Sequence, residues 1–228
     1  TVVSSTPSTS TFGQLVTFTA TVTPSDASGN VTFKNGTATL GTASLSSGQA
    51  TFGSSSLSAG THSITAVYAG NSSYSGSTST AITQTVNKAT PTVTTWPTAS
   101  AITLGQALSA STLSGGSASV SGSFAFTDPS TKPPVGTALQ GVTFTPSDAA
   151  NYNSVIGSVN VTVNKASTAT TVSSSLNPST YGQSVTFKAT ITPSSANGTV
   201  TFKDGTSTLG TATVVAGDAS FTISSLVV

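Results

Sequence analysis

Val16-Thr17-Phe18-Thr19-Ala20-Thr21-Val22-Thr23 sets an apolar residue against a hydroxyl residue at every step. A β-strand turns successive side chains to opposite faces, so this run predicts a half-buried strand with one apolar face and one hydroxylated face. Its counterpart further along reads Val185, Phe187, Ala189, Ile191 at the same parity. The same period of two marks Val31/Phe33, Ala50/Phe52, Ile64/Ala66/Tyr68, Phe124/Phe126, Val142/Phe144 and Val159/Val161/Val163. Threonine and valine suit a pleated surface, and no stretch keeps a helical period. Between the runs lie Asn35-Gly36 and Asp204-Gly205, dipeptides that favour tight hairpins because both turn positions need positive φ. Ser28-Gly29, Ser47-Gly48, Ala59-Gly60 and Asn197-Gly198 punctuate the rest. About seven short strands per unit, each with one buried face, have to close two sheets over one core. A barrel is the competing arrangement. The expected class is all-β, a tandem of β-sandwiches.

Outward from that strand the chain repeats itself. Residues 11–52 align with 180–221 at a constant offset of 169, with 27 of 42 positions identical and no gap. Thr11-Phe12-Gly13-Gln14 recurs as Thr180-Tyr181-Gly182-Gln183, and a third version, Thr103-Leu104-Gly105-Gln106, opens a different unit between the copies. Thr85-Val86-Asn87-Lys88-Ala89 recurs as Thr162-Val163-Asn164-Lys165-Ala166 and reads as a pair of joints. Three domains are predicted: 1–87, 88–164, and 165–228 as a second copy of the first. Residue 228 aligns with Ala59, so the last copy is expected to stop before its last two strands, to be completed by further chain or by a neighbouring molecule through β-strand addition. The joints lack a Gly/Ser or Pro run, which predicts a semi-rigid rod.

Only 5% of the 228 residues are charged, six Lys and five Asp, with neither Arg nor Glu. Solubility is left to serine and threonine hydroxyls. A net charge of +1 without a basic run lacks the footprint that nucleic-acid binding needs, and no apolar run reaches the length of a membrane helix. With no Cys there are no disulfides and no thiolate metal sites.

Family resemblance becomes specific at several motifs. Thr-Phe-Gly-Gln (11–14), Gly-Asn-Val-Thr-Phe-Lys-Asn-Gly (29–36), Leu-Gly-Thr-Ala (40–43) and the run from His62 to Tyr74 make residues 1–87 resemble the bacterial Ig-like repeat domains of large surface proteins. Residues 165–228 resemble the same family. Residues 88–164, with Trp96-Pro97, Gly-Ser-Phe-Ala-Phe (122–126) and the run from Thr143 to Tyr152, resemble the MBG-type domain that alternates with such repeats. The resemblance implies an immunoglobulin-like fold, bacterial secretion to the cell surface, and a role as spacer, stalk or fibre. It brings no catalytic residue with it.

The residues offer little chemistry. One His, no Cys and no Glu leave no acid, base or nucleophile set, so no catalytic, cofactor-binding or metal residue is assigned and no enzyme is expected. His62 reads as a rim residue of the core face, by parity with Ile64. The five Asp read as turn residues, and Asp148 with Asn151 and Asn153 reads as an Asx-type loop in preference to a calcium site. Tyr74 and Tyr152 each precede a last strand, where a tyrosine hydroxyl can anchor to backbone. Trp96 reads as packing near the joint, with a carbohydrate platform as its rival. Asn30, Asn35, Asn71, Asn160 and Asn197 head Asn-x-Ser/Thr triplets. A Lys–Asn isopeptide crosslink at Lys88 or Lys165 is a further option.

Three readings of function stand side by side. The first is a shaft whose partners are neighbouring copies or further domains of the same protein. The second is an adhesin or a module binding cell-wall glycan or a host receptor. The third is a set of spacer domains in a larger extracellular hydrolase.

Overall fold

The computed structural model describes residues 1–226, so the alignment of residue 228 with Ala59 lies outside the described residues. The chain divides into two compact units, Thr1–Asn164 and Lys165–Val228. Among the described residues all regular structure is β apart from one 3-10 turn at Leu108–Ala110. Three separate apolar clusters form, within residues 3–86, 96–163 and 187–221.

The first domain is a two-sheet sandwich. One sheet pairs β1 (Val2–Thr6), β3 (Val16–Thr21) and β6 (Gln49–Ser54) in the order β1-β3-β6. The other runs β2 (Thr9–Thr11), β9 (Ile82–Asn87), β7 (Gly60–Gly70), β4 (Asn30–Asn35), β5 (Ala38–Ser44), with β8 (Ser75–Thr78) paired to β7. The alternation of Val16, Phe18 and Ala20 sends these three inward, where they meet Val31, Phe33, Ile64, Ala66 and Tyr68 from the facing sheet. Phe18, Phe33 and Phe52 stack through the middle, with centroid separations of 6.4 and 5.9 Å. Gly41 makes room for this stack, because a Cβ there would lie 2.2 Å from the Phe52 ring. Three strands follow Ala59 in this domain, β7, β8 and β9, one more than the reading of the last copy allowed for. The extra one, β8, is a four-residue polar strand paired to β7, with Ser77 Oγ hydrogen-bonded to Thr1 Oγ1.

Within the same unit, residues 88–164 build a sheet in the order β12 (Ile102–Thr103), β17 (Val155–Asn164), β16 (Gly136–Pro146), β15 (Gly122–Phe126). Two short ribbons accompany it: β10 (Val93–Thr95) with β14 (Ser117–Ala118), and β11 (Thr98–Ala99) with β13 (Leu113–Ser114). Val142, Val159, Val161 and Val163 fill the core, with Trp96 and Phe124 packed edge to face at 5.8 Å.

Among the described residues the unit Lys165–Val228 repeats five of the first domain's strands, the counterparts of β1, β3, β4, β5 and β6. β18 (Ala169–Ser174), β19 (Val185–Thr192) and β22 (Asp218–Ile223) form one sheet, and β20 (Thr199–Asp204) with β21 (Ser207–Thr213) forms the other. Phe187, Phe202 and Phe221 reproduce the aromatic stack, and Gly210 again leaves room for it. An exposed ion pair, Lys188 to Asp218 at 2.9 Å, stands where the first domain has Thr19 and Gln49. The Lys188 ammonium and the Thr190 hydroxyl hold the Asp218 carboxyl below its ordinary range.

Candidate functional site

The two repeated motifs of the sequence meet in space. In each Thr-x-Gly-Gln turn the glycine takes positive φ (+83° at Gly13, +92° at Gly105, +82° at Gly182), the backbone of a tight turn that a Cβ resists. The glutamine side chain closes the turn: the amides of Thr11, Thr103 and Thr180 donate to the Oε1 of Gln14, Gln106 and Gln183 at 3.0, 2.7 and 2.7 Å. That leaves the amide of the second residue free to point outward. Phe12 donates its amide to the Asn87 carbonyl and Leu104 donates to the Asn164 carbonyl, each at 2.9 Å. Asn87 and Asn164 are the asparagines of the two Val-Asn-Lys-Ala joints. The turn thus fastens the start of a domain to its final strand.

The pairing that leads up to this bond is parallel in both domains. β2 runs alongside β9 with Thr9 opposite Thr85 and Thr11 opposite Asn87. β12 runs alongside β17 with Ile102 opposite Val163 and Thr103 opposite Asn164.

Beyond Asn87 the chain enters the joint between the first two domains of the Thr1–Asn164 unit. Ala89 pairs with the loop around Tyr152: its amide donates to the Asn151 carbonyl, and the Asn153 amide donates to the Ala89 carbonyl, both at 2.9 Å. Lys88 Nζ donates to the Ala149 carbonyl, and Asn153 Nδ2 donates to Thr90 Oγ1 at 3.1 Å. Asn151 then reaches back to the first domain, its Oδ1 accepting the Ala59 amide at 2.8 Å while its Nδ2 donates to Asp148 Oδ2. Finally the Phe12 ring stands edge-on to Tyr152, with centroids 5.4 Å apart. A single loop, 148–153, therefore grips the linker from one side and the first domain from the other.

Asn151→Ala removes both an acceptor and a donor from this joint. Each such bond is worth about 1 kcal/mol net, so a loss of roughly 1–2 kcal/mol is expected. Hydrogen exchange checks it: the Ala59 and Ala89 amides should exchange faster while the Phe18 amide in the first core is unaffected.

The other singled-out residues fall into structural places. His62 is buried, at the lip of the core; its Nε2 donates to the Ser58 carbonyl at 2.8 Å, which leaves Nδ1 to accept from Asn35 Nδ2. Asp148 and Asn151 form the Asx-type loop described above, with the Asn151 amide also on Asp148 Oδ1. A similar loop follows Asp128, whose carboxylate is held below the ordinary range by the Ser130 and Thr131 hydroxyls. Trp96 lies against Phe124 and over Gly157.

Tyrosine anchoring takes a different form from the one expected. Tyr74 donates its hydroxyl to the Asp26 carboxylate at 2.7 Å, a bond that raises the phenol above its usual value. The hydroxyl that reaches backbone belongs to Tyr68, on the Ser28 carbonyl at 2.8 Å. Tyr68 is an inward residue of β7 at the end nearest that turn, so parity alone placed its ring and hid its hydroxyl's use. Tyr152 serves through its ring, at the joint.

Among the described residues no three of His, Cys, Asp or Glu come together as a metal-binding group, and no helix is long and apolar enough to cross a membrane. Among solved structures the chain is similar to the fibronectin(III)-like modules of Clostridium thermocellum CbhA, with 18% identity over 72% of this chain and 95% of that one and a TM-score of 0.31. No curated protein matches the chain. The profile described as bacterial Ig-like domain (group 3) matches residues 3–87 and 170–228, which is more than half of the sequence and coincides with the two repeated domains. The chain belongs to the bacterial Ig-like domain (group 3) family.

Proposed function

We propose that these domains form a load-bearing shaft or spacer of a secreted bacterial surface protein, a stalk or extracellular filament with no catalytic role of its own. The observation that carries this reading is the parallel pairing of an early strand with the last one in both domains of the first unit, β2 with β9 and β12 with β17. Tension passed along the chain from β1 reaches β2 at Thr9 and leaves the domain at Asn87, at opposite ends of a parallel pair. The bonds from β2 to β9 are then loaded together in shear; they do not unzip one at a time. The same geometry recurs at Ile102 and Asn164. The docked joint adds support, because a spacer that hinged freely would hold its cargo at no fixed distance.

Residues 88–164 serve, in this reading, as an MBG-type module alternating with the group 3 domains. Its partners are neighbouring copies or further domains of the same protein, at the cell surface. The adhesin reading is weaker because its aromatic candidates are already engaged: Trp96 packs on Phe124, and Tyr74 spends its hydroxyl on Asp26.

Pulling single chains by their ends tests the proposal. Forced unfolding reports the barrier along the pulling direction. The first and middle domains should each give a discrete high-force step, and Thr11→Pro, which removes an amide from the β2 turn, should lower the first step alone. Low-force, gradual extension of both domains would overturn the reading, as would glycan-array binding lost on Trp96→Ala.

A further inference from the structure

The parallel clamp is built twice in the unit Thr1–Asn164, with opposite chemistry inside it. Ser10 lies opposite Val86 where β2 meets β9, and Ile102 lies opposite Val163 where β12 meets β17. One inward position earlier on the last strand stand Gln84 in the first domain and Val161 in the middle one, because Thr85-Val86-Asn87 matches Thr162-Val163-Asn164 residue by residue. All six of these side chains are buried. The middle clamp closes on an apolar trio, Ile102, Val161 and Val163, that belongs to the core of its domain. The first closes on a hydroxyl and an amide. Gln84 Nε2 donates to Ser10 Oγ at 3.3 Å and to the Thr85 carbonyl at 3.2 Å, both at the long end of the hydrogen-bond range. Its Oε1 has no protein partner among the described residues.

We propose that this polar pair makes the first clamp a yielding link: β9 parts from β2 before β17 parts from β12, so the first domain gives way ahead of the middle one under load. The load itself rests on the shaft reading, but the inequality of the clamps is a property of the unloaded chain. Its cause is solvation. Opening the middle clamp hands three apolar side chains to water, which opposes opening. Opening the first lets the Gln84 carbonyl and the Ser10 hydroxyl find water partners, and the closed clamp denies these to the carbonyl, which favours opening. Main-chain bonding does not account for the order. Phe12 and Leu104 each donate to an asparagine carbonyl at 2.9 Å, and both turns are tied by a glutamine. β2 is even the longer early strand, three residues against two in β12, so backbone pairing alone favours the first clamp. The buried polar pair reverses that preference. Two graded clamps release length in a fixed order: the first domain extends and limits the force that reaches the middle one.

Hydrogen exchange of the whole chain, without load, reads the two clamps through the amides of Phe12 and Leu104. Corrected for intrinsic rates, Phe12 should exchange at least about tenfold faster than Leu104. The double variant Ser10→Ala/Gln84→Met keeps the shape of the pair and asks for no partner, so Phe12 should slow about tenfold while Leu104 does not change. In single-chain pulling the first domain's step, identified by its response to Thr11→Pro, should lie below the middle domain's, and the double variant should bring the two forces together. Equal protection of Phe12 and Leu104 in the unaltered chain would overturn the proposal, as would a double variant in which Phe12 exchanges no more slowly, or a first step above the middle one. Exchange as expected with gradual extension of both domains under force would remove the shaft reading and leave the unequal clamps standing.

Discussion

Phe33→Ala is expected to cost the first domain about 3–5 kcal/mol, and Phe202→Ala, the same change at the equivalent residue, distinctly less. Both rings are the middle member of a three-phenylalanine stack, with neighbours at 6.4 and 5.9 Å in one case and 6.5 and 5.8 Å in the other. Their direct contacts are therefore close to identical. What differs is the lid. Phe33 is completely buried, with Ala66 of β7 across from it, so truncation leaves a closed cavity between two sheets that cannot collapse onto it. Phe202 borders a groove beside Val172 and Val200, and the space vacated there merges with solvent. The cavity part of the penalty falls away and only the transfer part remains. Denaturant titrations followed by amide exchange, read separately at Ala20 and Ala189, give the two costs. Equal losses would mean that β7 contributes no sealing to the first core.

Much of this architecture is written in local pattern. Parity alone placed Val16, Phe18, Ala20, Ile64, Ala66 and Tyr68 inward, and the offset between copies located two domains of one family. The pieces that escaped are those whose meaning depends on a distant partner. Thr-x-Gly-Gln and Val-Asn-Lys-Ala were both visible as repeats, yet nothing local shows that the second residue of one donates to the asparagine carbonyl of the other across some 60 to 75 residues of chain. β8 was unreadable because Ser-Gly-Ser-Thr has no apolar face; pairing with the distant edge of β7 makes it a strand. Gln84 shows a third kind of gap. It shares parity with Ile82 and Val86 and so points inward, where it is fully buried, but its polar side chain conceals this. Its Nε2 donates to Ser10 Oγ and to the Thr85 carbonyl, tying β9 to β2, while its Oε1 is left without a protein partner. A buried amide satisfied on one side is tolerated where it fastens the parallel pair that bears load in the proposed shaft.

Gly157→Val should severely damage the middle domain, because the position is occupied by another residue's ring. A Cβ at Gly157 would stand 2.1 Å from Trp96 Cζ2 and 2.5 Å from two further indole atoms, so no small adjustment admits it. Gly157 lies on β17, whose backbone is fixed by pairing with β16 from Val163 down to Val155, so the strand cannot retreat. The indole has to leave. It then loses its edge contact with Phe124, and the core beneath β10 opens, a loss comparable to truncating the tryptophan, about 3–5 kcal/mol. Trp96 is the sole tryptophan in the chain, so its fluorescence reports the event directly: emission should shift to the red as the ring enters water. A double-mutant cycle separates eviction from any intrinsic dislike of valine in this strand. In a Trp96→Ala background the obstructing ring is gone, and Gly157→Val should then cost less than about 1 kcal/mol, since a β-branched residue suits a strand. An undiminished cost in that background would place the damage in β17 itself and would break the link drawn here between a bare strand position and the aromatic ring that lies on it.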